Sequence, residues 1–285
     1  MIKKRLFLAL LLLLPILARG QSQGSGDLAG ALSMMDSVLA VDQDPTLMDE
    51  YYLGRAVAAN ILGSYRPYTQ KPELTRYLNR ICQTIAVNSP QPEIFNGYHV
   101  IILDSSQLNA FASPGGHIMI TRGFVEAAAS EDMLAAVIAH EFAHILLKHG
   151  IGTIADMRLN DELLATANRA ADISSRNSLA AARAALFRSS VSEMINVLMV
   201  SGYSQALEFA ADSAAITLLA ASGYNPGALM EMLRILQQAQ GSQRSGGIFS
   251  THPGPTERIG NADRTIRRYR IQDTSSYRLP RFQNK

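Results

Sequence analysis

Apolar residues recur at helical spacing along most of the chain, as in helices that bury one face. Near the amino terminus this spacing predicts helices over residues 27–41, 47–64 and 72–87, and the prolines at positions 90 and 92 end the last of them. Beyond Gly123 the pattern predicts only helices, of which the clearest cover residues 131–148, 204–221, 226–240 and 255–269. The alanine-rich section over residues 155–200 is only weakly amphipathic and has no signature that indicates a function.

A short section in the middle of the chain is typical of β-strands instead. Residues 98–103 (Tyr-His-Val-Ile-Ile-Leu) and 118–121 (Ile-Met-Ile-Thr) are its two clearest runs. Between them lie Asn109-Ala-Phe-Ala112 and the turn residues Pro114-Gly-Gly116. We therefore expect a mainly α-helical α+β fold with one small sheet of about three strands.

The first twenty residues have the pattern of a secretory signal peptide. Basic residues at positions 3–5 precede an apolar run over residues 6–17, and Ala18-Arg-Gly20 offers small residues at the cleavage point. An uncleaved anchor is the alternative, but the run is shorter than the roughly 20 apolar residues that span a bilayer. We expect cleavage near Gly20, secretion across the inner membrane into the periplasm, and a flexible leader with the first helix over residues 21–45. No later run is long and apolar enough to span a membrane.

Charge and cysteine content argue against two kinds of function. The formal charge is +2, and residues 1–20 carry four basic side chains and no acid, so the remaining chain is near −2. It therefore has no excess of positive charge with which to bind nucleic acid. The single cysteine, Cys82, leaves no internal disulfide in a secreted chain, and its helical context predicts a buried core residue and not a nucleophile.

The stretch AAVIAHEFAHILLKHG, residues 135–150, places two histidines and a glutamate in an otherwise apolar helix. Burial of such side chains without partners is costly. His140 and His144 are four residues apart and share one helical face, which suits a single zinc ion. Glu141 lies about 100° round the helix, where a carboxylate can take a proton from a metal-bound water. A mutually satisfied buried His/Glu pair is the structural alternative.

A catalytic zinc ion needs a third protein ligand. His149 is nearest in sequence, but on a continuous helix it points away from the metal, and we expect it to be a cation at the helix's carboxyl end. Asp156 is another alternative, since a turn predicted at residues 150–152 could bring it back. Glu208 is favoured, because Glu208 and Asp212 form a second i, i+4 pair on an apolar helix. Glu208 would bind the metal while Asp212 accepts the free N–H of a liganding histidine; an exposed carboxylate pair is the alternative.

His252 lies in a loop, and the proline that follows it restricts its backbone. A histidine at this place could donate a hydrogen bond to the oxyanion of a tetrahedral intermediate. Without such a role it would be an ordinary surface histidine. His99 and His117 lie in the predicted strands, and we expect them to be structural.

Four blocks of the sequence resemble, in order and in rough spacing, the HtpX/CAAX-prenyl-protease superfamily of gluzincin zinc metallopeptidases. They are Asn109-Ala-Phe-Ala-Ser-Pro-Gly-Gly-His-Ile118, His140-Glu-Phe-Ala-His144, Glu208-Phe-Ala-Ala-Asp212-Ser213 and Thr251-His-Pro253. Within this superfamily the chain resembles the soluble periplasmic BepA-like protease domains, without their tetratricopeptide repeats. The resemblance implies a zincin-like metallopeptidase domain over residues 46–270 and a C-terminal tail over residues 271–285.

The resemblance also implies a role for each matching residue. One Zn²⁺ per chain would be bound by His140, His144 and Glu208. Glu141 would be the general base, and Asp212 would orient a liganding histidine. An edge strand that aligns an extended peptide substrate would be formed by Asn109, Ala110, Phe111 and Ala112. The histidine that matches His252 either stabilises the transition state or binds the zinc as a plug that keeps the enzyme latent.

These observations predict a zinc-dependent endopeptidase of the bacterial cell envelope. Its substrates would be polypeptides, among them misfolded or unassembled envelope proteins, and its role would be protein quality control. The membrane spans of the prenyl proteases are missing, which argues against prenylated substrates. The alternative is a zinc-bound periplasmic chaperone or assembly factor with little or latent proteolytic activity.

Overall fold

The structure, a computed structural model, describes residues 45–160, 176–240, 252, 254–269 and 274–284. The predicted signal peptide, the predicted helix over residues 27–41 and the predicted loop over residues 241–247 lie outside these residues. The described helices are α1 Leu47–Ser64, α2 Pro72–Val87, α3 Arg122–Ala127, α4 Glu131–Leu146, α5 His149–Asn160, α6 Arg176–Asn196, α7 Gln205–Ala221, α8 Ala228–Gln240, α9 Pro255–Ile266 and α10 Leu279–Gln283. The predicted mainly helical α+β fold is confirmed, and α1 and α2 have the predicted bounds.

The three strands β1 His99–Leu103, β2 Ala110–Ser113 and β3 His117–Thr121 form one sheet in the order β1-β3-β2. β1 runs parallel to β3, and β2 runs antiparallel to it, so that β2 lies at one edge. The tight turn from β2 to β3 places Gly115 and Gly116 at φ values of 69° and 92°, which favour glycine. The predicted small sheet is therefore confirmed, with the predicted substrate strand at its edge.

Helix α4 lies at the centre of the molecule. Ser130 caps its amino end by accepting a hydrogen bond from the backbone N–H of Met133 at 3.2 Å. Every residue from Glu131 to Ile145 is buried, because α2, α7 and α8 and the sheet pack around the helix. A helix that is buried on all sides must find a partner for each polar side chain that it carries.

A second apolar cluster lies on the other side of the sheet. There α1 and the π-helical turn Val197–Ser201 pack against the sheet, α6 packs against α1, and Phe111 of β2 and Met119 of β3 are buried among them. The described part of the alanine-rich section thus packs beside the edge strand β2. Cys82, on α2, is fully buried in the main cluster, as predicted.

Two expectations about the end of α4 are wrong. The predicted helix break at residues 150–152 lies instead at Leu147 and Lys148, where Lys148 has a φ of 53°. The next helix, α5, begins at His149 and contains both predicted breaker glycines, Gly150 and Gly152. His149 is therefore not a cation at the carboxyl end of a helix; it is the first residue of the following helix, and it is buried.

Among the described residues, no single helix is long and apolar enough to cross a membrane; α4 and the first part of α5 reach that length and hydropathy only as a pair, bent by 45°.

Candidate metal centre and active site

Helix α4 presents His140 and His144 on one face, one turn apart, as their spacing predicts. Their Nε2 atoms are 3.2 Å from each other. Both rings are buried, with 2–3% of each residue exposed, and so is Glu141, which follows His140 on the helix. The two imidazoles therefore converge on one point inside the protein, with a carboxylate beside them.

Helix α7 supplies the second half of the site. The carboxylate oxygens of Glu208 lie 3.5 Å from Nε2 of His140 and 3.4 Å from Nε2 of His144. Asp212, one turn further along α7, has Oδ1 3.1 Å from Nδ1 of His140. Both carboxylates are fully buried, so the alternative of an exposed carboxylate pair is wrong. Asp156, the other alternative for a metal ligand, is exposed on α5 and is not part of this cluster.

His252 also lies in the site and is buried. Its Nδ1 donates a hydrogen bond of 2.8 Å to Oε1 of Glu208, since a carboxylate can only accept. Its Nε2 lies 3.8 Å from Oε1 of Glu141. One ligand atom from each of His140, His144, Glu208 and His252 fits within a group whose members are all within 4.8 Å of one another.

Burial and neighbouring charges shift the pKa values of Glu141 and Glu208 in opposite directions. Burial raises the pKa of Glu141 above its ordinary value, and the nearby His252 only partly offsets this. Burial also acts to raise the pKa of Glu208, but His252 and Arg258 outweigh it and hold the pKa well below its usual range. Glu208 is therefore the stable anion of the pair, whereas Glu141 is the carboxylate that binds a proton more readily.

The pKa values of His140 and His144, the two histidines of α4, also differ. Burial and Arg258 lower the pKa of His140, but Asp212 and Glu208 outweigh them and raise it to about 9. Burial lowers the pKa of His144 to about 3, because Glu208 compensates less there. His144 is therefore a neutral imidazole at neutral pH. The surroundings of His140, in contrast, favour a positive charge on its ring.

Arg258 is the main participant that sequence reasoning misses. It lies on α9, is buried, and clamps Asp212 with Nε–Oδ2 and Nη2–Oδ1 distances of 2.8 and 2.7 Å. Its Nη1 lies 2.9 Å from Oε2 of Glu208. A signal for it exists, because Arg258 shares its helical face with Ala262 and Ile266, which are also buried. A charged residue on the apolar stripe of a helix needs a buried partner.

Tyr203 is the second participant that sequence reasoning misses. It is buried immediately before Ser204, the residue that caps α7. Its ring stacks on that of His144, with centroids 4.4 Å apart and an angle of 18° between the planes. Burial, with Glu141 and Glu208 nearby, raises the pKa of the Tyr203 phenol, which therefore stays protonated. The π-helical turn that precedes it gave no sequence signal.

The donor set fits a zinc ion. Ligands 2.0–2.1 Å from a tetrahedral zinc ion are about 3.3 Å from one another. The Nε2 atoms of His140 and His144 are 3.2 Å apart, and each lies close to its own carboxylate oxygen of Glu208, Oε2 at 3.5 Å from His140 and Oε1 at 3.4 Å from His144. Oε2 of Glu208 is buried and makes no hydrogen bond to the described residues, although it is close to Arg258. Three buried carboxylates in the site face one guanidinium, so a cation is electrostatically favoured.

The residues predicted to align a substrate lie beside this centre. Asn109 precedes β2, and its Oδ1 accepts a hydrogen bond from the backbone N–H of Ala110 at 2.9 Å. Ala110, Phe111 and Ala112 are all buried in β2. A small recess lies at the far end of the strand, with walls that include Ala112, His144 and Tyr203. The recess thus joins the end of the edge strand to one of the proposed metal ligands, His144.

Comparison with known sequences gives the family. The model of peptidase family M48 matches residues 70–266. This match covers more than half of the chain, which therefore belongs to peptidase family M48.

The sequence identity to individual relatives is low. A beta-barrel assembly-enhancing protease from Escherichia coli O157:H7 is 27% identical over 227 residues, which are 79% of this chain and 44% of the relative. The mitochondrial metalloendopeptidase OMA1 of Schizosaccharomyces pombe is 27% identical over 222 residues, 78% of this chain and 58% of the relative. A human mitochondrial metalloendopeptidase OMA1 is 27% identical over 191 residues, 65% of this chain and 36% of the relative. The chain thus spans about half the length of the relatives that it matches.

Proposed function

We propose that this chain is a zinc-dependent endopeptidase in which His140, His144 and Glu208 bind the metal. The observation that carries the proposal is the convergence of these three side chains on one buried point, with the carboxylate of Glu141 beside it. Membership of peptidase family M48 supports it. When bound, zinc would polarise the scissile carbonyl and lower the pKa of a water molecule.

Glu141 would act as the general base and then as the general acid. It would take a proton from the attacking water and pass it to the leaving amine. The raised pKa of Glu141 supports this role, because a base accepts a proton best when its pKa approaches the working pH. Asp212 would hold His140 through Nδ1, and Arg258 would keep Asp212 in place and ionised.

The edge strand β2 would align the substrate by backbone pairing. An extended peptide that adds to a sheet edge is recognised by its main chain, which suits a broad range of sequences. The recess beside Ala112 and His144 supports this arrangement, since its walls include both a residue of the strand and a proposed metal ligand. Asn109, whose side chain caps the start of the strand, would fix the strand's amino end.

The biological setting is a proposal from the sequence. Residues 1–20 would direct the chain to the periplasm, and residues 46–270 would form the catalytic domain. Misfolded or unassembled envelope proteins would be the substrates, and quality control would be the role. The name of the bacterial relatives, beta-barrel assembly-enhancing protease, supports an envelope setting.

The test compares the wild type with Glu141→Gln, which keeps the shape of the side chain and removes the base. Zinc content and casein cleavage are measured for both, with and without a chelator. We expect equal zinc content, chelator-sensitive cleavage in the wild type, and a loss of at least about 100-fold in Glu141→Gln. Equal and chelator-insensitive cleavage by both proteins would rule out the proposed endopeptidase.

The position of His252 favours a latent form of this enzyme. Its side chain lies within the same group of ligand atoms as the proposed zinc ligands, and its Nδ1 donates to Glu208. In that position it would occupy the space that the substrate's carbonyl needs. His252→Ala should therefore cleave casein faster than the wild type. Slower cleavage would instead support the oxyanion role and contradict the latent form.

A further inference from the structure

His149 contacts the proposed zinc ligand His144 from behind. The chain turns at Lys148, so that α4 and the start of α5 meet at 45° and His149 folds back towards α4. Nδ1 of His149 lies 3.0 Å from Nδ1 of His144, and both residues are buried. The hydroxyl of Thr153 donates to the backbone carbonyl of His149 at 2.8 Å, within the first turn of α5. The turn at Leu147 and Lys148 thus places His149; the sequence predicts this turn at residues 150–152.

The direction of this hydrogen bond follows from what the other nitrogen of His144 faces. Nε2 of His144 points at His140 and Glu208, the two other proposed ligands. A histidine that binds a metal through Nε2 carries its proton on Nδ1. Two nitrogens 3.0 Å apart form a hydrogen bond only when one donates and the other accepts. Nδ1 of His144 must then donate, and Nδ1 of His149 must accept.

The two proposed histidine ligands are therefore held by different chemistry. His140 is held by the carboxylate of Asp212, with Oδ1 3.1 Å from Nδ1. His144 is held by an imidazole at its edge and by the ring of Tyr203 stacked on its face. Together, the two contacts fix the tilt and the rotation of the His144 ring. Liganding histidines commonly donate their second N–H to a carboxylate or a carbonyl, so a neutral imidazole acceptor is a distinct solution.

We propose that His149 is a positioning residue that fixes the tautomer and orientation of His144 by accepting its Nδ1–H. This inference rests on the proposed zinc site, because the donor direction assumes a metal at Nε2. His149 in this role is a neutral imidazole with its own proton on Nε2. It need not touch the metal or the substrate.

The first test measures zinc affinity by chelator competition in four proteins. They are the wild type, His149→Leu, His149→Asn and the control His99→Leu, which changes an exposed histidine of β1. Loss of such an orienting partner typically weakens metal binding 10–100-fold, so we expect about that loss in His149→Leu. His149→Asn should remain closer to the wild type, because its carbonyl oxygen can accept in place of Nδ1. The control should match the wild type.

Each outcome separates this inference from the proposed function. A wild type that binds no zinc would contradict the metal centre itself. If the wild type binds zinc but His149→Leu binds it equally tightly, only the positioning role of His149 is contradicted. Thermal unfolding of the metal-free variants shows whether they fold.

The second test needs no variant. In the zinc-loaded wild type, ¹⁵N NMR should show a proton on Nδ1 of His144 and a coupling through the hydrogen bond to an unprotonated Nδ1 of His149. If Nδ1 of His149 carries a proton, or if the coupling is absent, the inference is wrong whatever the variants do.

Discussion

At the scale of single residues, the site combines three buried carboxylates with one buried guanidinium. Arg258 is close to two of the three, Glu208 and Asp212, and it contributes two hydrogen bonds to Asp212. Opposite charges of this kind, buried together, tolerate the loss of one member poorly, because the others are left without a counter-charge. The stability of the metal-free protein should therefore depend strongly on Arg258.

Arg258→Met should lower the free energy of unfolding of the metal-free protein by about 3–5 kcal/mol, because it leaves buried carboxylates unpaired. The free energy of unfolding of Arg258→Lys should lie between those of the wild type and Arg258→Met. An ammonium keeps the positive charge but cannot reproduce the bidentate contact with Asp212. The matched control is Arg267→Met at the carboxyl end of the same helix, where an exposed arginine pairs with Asp263 at 2.7 Å. Its effect should stay within about 1 kcal/mol. Urea unfolding measures all three; equal effects of the two methionine variants would contradict this account.

At the scale of elements, helices α4 and α7 could be predicted from the spacing of their apolar residues, and an i, i+4 pair of polar residues marks each as a candidate half of a site. Such a pair indicates a shared buried partner, and Glu208 and His140 are partners in the structure. The break between α4 and α5 could not be predicted, because it uses Lys148 in a left-handed conformation that glycine normally adopts. The expectation that His149 is a cation at a helix's carboxyl end is wrong for the same reason. The roles of the site residues themselves stay predictions.

Helix α1 contacts the turn after β2 at Gly54. A Cβ atom at Gly54 would lie 1.7 Å from the backbone carbonyl oxygen of Pro114, which cannot move without shifting the turn. The close approach also lets Ser113 Oγ donate to the carbonyl of Gly54 at 3.1 Å. The contact between α1 and the predicted substrate strand thus requires glycine at this position.

Gly54→Ala should therefore destabilise the protein by about 1–3 kcal/mol, the usual cost of forcing atoms into a filled space. Gly63→Ala, on the same helix, is the control: outside its own helix, no atom of the described residues lies within 4 Å of its added Cβ, so it should be neutral or stabilise by up to about 1 kcal/mol. Urea unfolding of the two variants gives the comparison. A stable Gly54→Ala protein would show that α1 and the turn after β2 can separate at little cost.

At the scale of the whole molecule, the last described segment returns to the start of α4. Arg278 makes a bidentate contact with Asp132, with distances of 3.1 and 2.6 Å, and Arg281 pairs with Glu131. The hydroxyl of Tyr77, on α2, also donates to Glu131 at 2.7 Å. Glu131 is about 20 Å along the helix from His144, by the rise per residue. The chain's carboxyl-terminal part therefore holds the end of α4 that is remote from the proposed metal centre.

The contacts of Glu131 predict a specific dependence of stability on pH. Burial raises the pKa of Glu131, but Arg281 and Tyr77 outweigh it, so the pKa in the folded protein lies below the ordinary value of 4.5. The ionised carboxylate thus stabilises the fold at every pH above about 4.5, and this contribution is lost as the pH falls through the lower, folded pKa. Replacement by glutamine should remove the contribution at neutral pH and change little in acid.

Glu131→Gln should accordingly be less stable than the wild type by about 1.5–3 kcal/mol at pH 7, the range for hydrogen bonds to a charged group. The gap should narrow steadily as the pH falls below about 4.5. Glu126→Gln is the control, because Glu126 is exposed and pairs with Arg122 on the surface of α3, and it should show a small gap at any pH. Urea unfolding at several pH values measures both. A gap for Glu131→Gln that stays constant from pH 7 to pH 3 would mean that the shape of the side chain, and not its charge, holds the amino end of α4.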